Sequence, residues 1–572
     1  MVVGHLPRGR NKGFREQVRR EAETSGDESR ASSGDGRVHN SKDFARSDIA
    51  DPINGLIKVS IPISFRAMCV LSAALCIAGL CIAAPPPIAV SPANPRYFAW
   101  RNRTAVALLS SGEHYGALVN LDFNYETYFA ALAARNYSLT IALAGTYREP
   151  DSDVNRHGDN PAGNTLSPVK GRFASPWASA PAAGSAGKYD LRKWNSAYWD
   201  RLGAFVASAS RYDIVVHLTL FCVYDAQPGQ EYIWALNPMN PANNVNGGMD
   251  NVNSTTAYTL GAGKALVAFQ LALVTKLTRA LMAFDNVLIS LVLMPEGAGV
   301  AWGAEIFKAV RAADPRRAIV VPGAWLAAPA AAALPWRGDR NVVATGAMSF
   351  APPPANATDG LRPCILDSAP LPVAPSAAAQ LATLRRTYYA WLLSGGGAIY
   401  NLDWSYAVSC ESGTKVDNQT SITPSGPRFE MLLSAIATLA RSLPLAALEA
   451  STAWVAAASL SGAPSREAAE PTLVGLRSTA TARAANHSVR VWIAYVASAN
   501  VTALRVDLGD VAAGDACVAT WLDPRSALPS AASAQRAFTP KLGEVIAIAL
   551  DATLAALGEA LLRVECTART RQ

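Results

Sequence analysis

Polar and aromatic residues gather at a few points of this 572-residue chain, each directly after a short apolar run. Ser110-Ser111-Gly112-Glu113-His114-Tyr115 follows one run and Gly145-Thr146-Tyr147-Arg148-Glu149 a second. Phe221-Cys222-Val223-Tyr224 follows a third, and Tyr400-Asn401-Leu402-Asp403-Trp404 ends the series. Carboxyl, amide and imidazole groups bind hydroxyls, while aromatic rings present flat apolar faces. That mixture suits a polyhydroxylated ligand with polar edges and apolar faces, which is the chemistry of a sugar. Glu113, His114, Tyr147, Asn401, Asp403 and Trp404 are the candidate substrate-binding residues. No Cys-X-X-Cys metal spacing occurs, and no Gly-X-Gly-X-X-Gly follows the first apolar run, so neither a metal nor a cofactor is expected.

Such residues need a scaffold that brings strand ends together. From about 97 to 445 short apolar runs alternate with helix-period stretches, the pattern of a parallel α/β fold. The expected strands are Ala105–Leu109, Leu139–Ala144, Ile214–Phe221, Val287–Leu293, Ala318–Pro322, Val342–Ala347, Cys364–Leu366 and Ala398–Asn401. Tyr125–Ala134, Ala197–Ser210, Gly263–Ala283 and Ala301–Ala313 are the expected helices between them. The clearest strand is the near-continuous apolar run Val287–Leu293, of the kind a (β/α)8 barrel buries on both faces. In such barrels the chemistry sits at the C-terminal strand ends, where the polar groups above fall. After about 450 the pattern changes to short alternating strands at Val489–Tyr495, Ala503–Leu508, Cys517–Trp521, Glu544–Ala549 and Ala560–Val564. This pattern predicts a small antiparallel β-sandwich over 450–572. Cys517 and Cys566 both fall in it and are a candidate disulfide.

The first 60 residues are rich in Gly, Ser, Arg, Glu and Asp and hold too few apolar groups to bury a core, so a disordered tail is expected. Ala67–Ala84 is an 18-residue apolar run without a charge, preceded by Lys58 and Arg66 and ended by Pro85-Pro86-Pro87. Its length and flanking charge predict a transmembrane signal anchor over 65–90 with a cytoplasmic N-terminus. A cleaved signal peptide, with translation starting at Met68, is the alternative. Asn-X-Ser/Thr sequons occur at Asn102, Asn136, Asn253, Asn356, Asn418, Asn486 and Asn500, and none precedes the apolar run. The expected arrangement is a single-pass type II membrane protein whose bulk is lumenal or extracellular and carries glycans. Cys222, Cys364, Cys410, Cys517 and Cys566 lie in that bulk, and an odd number leaves at least one unpaired. The net charge of +7 is modest, and no basic tract interleaved with aromatics appears, so a nucleic-acid partner is not indicated.

Several segments resemble a group of cellulase-like glycoside hydrolases of the (β/α)8-barrel clan. They are Ser111-Gly112-Glu113-His114-Tyr115-Gly116-Ala117, Asn164-Thr165-Leu166 with Gly171-Arg172-Phe173 and Pro176-Trp177-Ala178, and Tyr189-Asp190-Leu191 to Trp194. The most specific is Asn237-Pro238-Met239-Asn240-Pro241-Ala242-Asn243-Asn244-Val245-Asn246-Gly247, joined by Phe284-Asp285-Asn286-Val287 and by Gly395 through Ser405. Together they cover most of 97–445 in the family's order. Trp521-Leu522-Asp523-Pro524-Arg525 resembles a turn of the β-domain that follows such barrels.

The departures fall where the chemistry should be. The family's fourth strand ends in Asn-Glu-Pro, with the Glu as acid/base; the matching residues are Leu293, Met294 and Pro295. Its seventh strand carries the nucleophile, and the matching segment Cys364-Ile365-Leu366-Asp367-Ser368 places Ser368 there. The sixth strand usually ends in a His-Tyr-like pair, here Ser349 and Phe350. Retaining hydrolysis needs two carboxyl groups about 5–5.5 Å apart, and neither a thioether nor an alcohol replaces them. Glu296 and Asp367 are the nearby substitutes for a catalytic pair. By strand alternation from Ser368, Asp367 is expected to point out of the barrel. Three functions follow: a glycan-binding barrel with impaired or no hydrolysis, an active O-glycosyl hydrolase with relocated carboxylates, or a structural and interaction protein on a barrel scaffold.

Overall fold

The computed structural model describes residues 85–567, apart from 151–163, 181–186, 262–263, 328–332, 346–361, 368–376, 416–426, 461–471, 479–488, 498–500, 509–510, 512–514, 530–534, 542–544, 551 and 558. The tail and the apolar run at 67–84 lie outside these residues. Among the described residues no helix is long and apolar enough to cross a membrane.

Eight strands form one parallel sheet: β1 (Leu108–Gly112), β2 (Leu139–Leu143), β3 (Val215–Cys222), β4 (Val287–Leu293), β5 (Ile319–Pro322), β6 (Val342–Thr345), β7 (Cys364–Asp367) and β8 (Ala398–Leu402). Their order is β1-β8-β7-β6-β5-β4-β3-β2, the consecutive order of a (β/α)8 barrel. All eight residues of β3 are buried, which is why its sequence reads as an apolar run and not as an alternation. Between β1 and β2 the ladder is replaced by separate bonds. Ser138 N donates to Leu109 O at 2.9 Å, Leu109 N donates to Ser138 Oγ at 3.2 Å, and Leu143 N donates to Tyr115 O at 3.0 Å. The cylinder is nearly closed.

Helices α1 (Tyr125–Ala134), α2 (Ser196–Arg211), α3 (Lys264–Leu281), α4 (Val300–Ala313), α5 (Ala377–Leu393) and α6 (Pro427–Ser442) connect the strands. Asn124 caps α1, its side chain accepting from the Glu126 and Thr127 N–H groups. In α2 the buried Leu202, Phe205, Val206 and Ala209 recur at the three- and four-residue spacing of one helix face.

The first strand differs from its expected span of Ala105–Leu109. Arg103–Val106 instead pairs antiparallel with Phe98–Trp100, outside the barrel. Arg103 and Thr104 are exposed, and a strand buried on both faces cannot begin with them. The barrel takes Leu108-Leu109-Ser110-Ser111-Gly112, where small side chains fit. Gly112 is needed at that point: a methyl there would overlap the Tyr128 and Tyr400 hydroxyls.

Beyond the barrel lie two antiparallel sheets. One has six strands, Leu448–Ala450, Thr472–Ser478, Val489–Ala497, Glu559–Thr567, Ala516–Leu522 and Arg536–Phe538, in that spatial order. The other has three, Val455–Leu460, Val501–Asp507 and Val545–Ala549. Val455, Leu504 and Ile548 from the smaller sheet share one apolar core with Trp492, Trp521 and Leu562 from the larger. Cys517 and Cys566 are register partners on adjacent strands and form a disulfide. Cys222, Cys364 and Cys410 are free thiols.

Candidate functional site

The register of the barrel decides which side chains can meet a ligand. Asp367 pairs with Tyr400 and Tyr400 with Ser110, so these three share one face of the sheet. Asn401 pairs with Ser111 on the other face, and its Oδ1 accepts from Tyr388 of the outer helix α5 at 2.9 Å. Asp367 therefore faces the barrel interior. This corrects the expectation that it points outward, which was counted from Ser368 at the family's Glu position. Ser368, Ser349 and Phe350 lie outside the described residues.

Asp367 is 7% exposed and accepts a hydrogen bond from the Tyr115 hydroxyl at 2.9 Å. Burial pushes its carboxyl up to about 7, only partly offset by that bond. Met294 directly follows β4 with φ 54°, and Tyr115 follows β1 with φ 59°. Both are in the left-handed region that side chains other than glycine rarely adopt, at two strand ends facing the same mouth. Glu296 is exposed on the turn after Met294, beyond the end of the strand.

A chain of contacts runs across the strand ends. The Trp404 ring lies 4.6 Å from that of His114, centroid to centroid. His114 Nδ1 is 2.6 Å from Asn164 Oδ1, which also accepts from Leu166 N at 2.9 Å. An oxygen that accepts from both assigns the proton to Nδ1 and leaves Nε2 as an acceptor. Asn164 Nδ2 in turn donates to Glu149 Oε2, and the buried Tyr147 hydroxyl donates to Glu149 Oε1 at 3.0 Å. His114, Glu149 and Trp404 are all half-buried, so each keeps a surface for a ligand. Glu149 and Asn164 were not among the expected site residues. Glu149 was visible as a carboxylate after the second strand, but only the tertiary structure places Asn164 beside it.

Three expected ligand residues are engaged in the scaffold instead. Glu113 is wholly buried, its Oε2 accepting from Gly116 N at 2.7 Å and from the Thr165 hydroxyl. Burial pushes its carboxyl up to about 7. Asp403 is wholly buried, accepting from Ser111 Oγ and Ser405 N at 2.9 Å each. Asn401 is turned toward α5. Polar side chains at strand ends also serve to satisfy tight-turn backbone, and identity alone does not separate the two uses. The Asn237 segment builds a support: Asn237 Nδ2 and the Tyr258 hydroxyl donate to the buried Asp225 at 2.8 and 3.1 Å.

Of the sequon residues, Asn102 and Asn253 are exposed and Asn136 is half-buried; Asn356, Asn418, Asn486 and Asn500 lie outside the described residues.

The fold is that of glycoside hydrolase (β/α)8 barrels. A family 5 glycoside hydrolase from Bacteroides vulgatus is similar with a TM-score of 0.51 at 10% identity, over 84% of this chain and 93% of that one. A second glycoside hydrolase structure gives 0.51 at 11% identity, over 85% and 98%. No protein-family model matches the chain, and no curated protein does. At these identities the likeness is one of fold.

Proposed function

We propose that this chain binds carbohydrate in a cleft lined by His114, Glu149 and Trp404 and backed by the buried Tyr147, Asn164 and Asp367, and that its hydrolytic power is impaired or lost. The observation that carries this reading is Met294 at the end of β4, where a retaining hydrolase needs a proton donor. Aromatic and hydrogen-bonding groups persist around that gap. The test is oligosaccharide binding and turnover by the purified full chain. Trp404→Ala is expected to weaken glycan affinity by about 1–3 kcal/mol, the scale of base–aromatic stacking. Turnover of aryl glycosides should be negligible and should rise with Met294→Glu, which returns a carboxyl to the end of the fourth strand. Unchanged affinity in Trp404→Ala would remove the cleft from consideration.

A second reading is favoured by one observation, the inward face of Asp367. In it the chain remains an O-glycosyl hydrolase, with Asp367 and Glu149 as relocated carboxylates. Robust turnover by the unmodified chain, abolished by Asp367→Asn or Glu149→Gln, supports this reading over the first. Glu296→Gln should leave such turnover unchanged, since that side chain is exposed on a turn.

The same proposal includes topology and domains. Residues 1–60 form a cytoplasmic tail, the apolar run 67–84 the membrane anchor, 97–445 the barrel and 450–572 a β-sandwich that buttresses it; the expected anchor bound of 90 is too long, since Ala89–Val90 pairs as a strand with Phe98 and Ala99. Expression in a secretory host should give glycosidase-sensitive mass shifts mapping to sequons between Asn102 and Asn500. Glycan-free material from such a host would overturn the lumenal placement.

A further inference from the structure

The end of the barrel opposite the proposed sugar cleft carries a second cavity. It has a volume of about 540 Å³ and is lined by Trp100, Arg101, Arg103, Ser138, Asp213 and Arg441 among others. Ser138 directly precedes β2, Asp213 lies two residues before β3, and Arg441 is in the last turn of α6, so the cavity opens at the N-terminal strand ends. We propose that this cavity binds a small molecule through an oxyanion group, a phosphate, sulfate or carboxylate, held between Arg103 and Arg441.

The charges in the cavity are unequally matched. Arg101 is already neutralised: it pairs with Asp213 and, at 2.9 Å, with Asp285, and its guanidinium lies 4.5 Å over the Trp100 ring. Asp213 is the acidic group of the lining, and Arg101 occupies it. Arg103 and Arg441 form no ion pair among the described residues, and Arg441 reaches only Asn136 Oδ1, at 3.5 Å. Partial burial, then the like charge of Arg103, hold the Arg441 guanidinium below its usual pKa, and Asp213 offsets this in part. The cavity thus offers donors and positive charge in excess of acceptors. Planar guanidinium forks match carboxylate and phosphate oxygens, and the volume is within the range of small-molecule sites. Barrel chemistry belongs to the other end, so a ligand here would not compete with a sugar substrate.

The experiment is isothermal titration of the full chain with inorganic phosphate, a hexose phosphate and a hexuronate, at fixed ionic strength set with chloride. Glycan-free chain is used because the sequon Asn102-Arg103-Thr104 is part of the lining. Saturable binding of at least one probe is expected, and the one bound most tightly identifies the class. Arg103→Ala and Arg441→Ala should each weaken it about tenfold or more, since each removes a charged hydrogen bond. Both side chains are exposed, so the variants should fold. Arg192→Ala, which removes an exposed charge elsewhere, should not change it. No saturable binding of any probe, or an equal loss in Arg192→Ala, would refute the site.

Discussion

Replacing Glu559 with alanine should destabilise the chain by about 3–5 kcal/mol, a large share of the stability of a typical domain. Glu559 opens the strand Glu559–Thr567, yet its carboxylate is 2% exposed and reaches back to the barrel. Arg385 of α5 donates to it through Nε at 2.5 Å and Nη2 at 3.1 Å. The Tyr495 hydroxyl adds a third bond at 3.0 Å, and Tyr495 stacks on Tyr389 with centroids 5.0 Å apart. Tyr389 then donates to Pro524 O at 2.9 Å. Alanine leaves the Arg385 guanidinium, 11% exposed, with its charge uncompensated between barrel and sheet. Denaturant unfolding of the full chain measures the loss. The double variant Arg385→Ala, Glu559→Ala should lose far less than the sum of the single losses, because it removes both charges together. A single-variant loss under about 1 kcal/mol would mean that the pair is solvated and the junction held by other contacts.

The chain should also be more stable at mildly acidic than at neutral pH. Burial pushes the carboxyls of Glu113, Asp225 and Asp367 each up to about 7. None has a cationic partner among the described ion pairs; each is bonded by neutral donors. A carboxyl with a raised folded pKa binds its proton more tightly in the folded chain. Its contribution is fully present below the usual carboxylate range and is lost as pH rises toward 7. His217 acts oppositely: burial lowers it to about 3, so it disfavours folding as pH falls below the usual histidine range. Between about pH 4.5 and 6.5 the folded chain holds three extra protons and lacks one, a net of two (3 − 1). Stability should then rise as pH falls by roughly 2–3 kcal/mol per unit at most. Thermal unfolding from pH 5 to 8 checks this, and Asp367→Asn should about halve the slope. A flat profile, or stability rising with pH, would show these carboxyls to be hydrated or paired in solution.

Much of the barrel is legible in the sequence. Strands buried on both faces are mostly apolar, so Val215–Cys222 and Val287–Leu293 stand out, and Tyr125–Ala134 is bounded by its own periodicity. The first strand was misplaced because Ala105–Leu109 is as apolar as its successor; what excludes it is the exposure of Arg103 and Thr104 beside it.

The candidate site was only half legible. The sequence alone determined which residue types stand at the strand ends, including Met294 directly after the fourth strand, because those follow from the order of the chain. It could not determine which face they take. Asp367 turns inward and Asn401 outward because pairing with Tyr400 and Ser111 sets the alternation, and a shift of one residue reverses every side chain. Nor could it separate a ligand group from a buried clamp, as with Glu113 and Asp403, since that depends on which backbone N–H groups the turn leaves unpaired. Arg385 and Glu559 are 174 residues apart, and only tertiary packing gives either a counterion. The sequence thus determined the scaffold and its inventory of side chains. The tertiary structure decided their direction, partners and charge, because those depend on register and on contacts between distant parts of the chain.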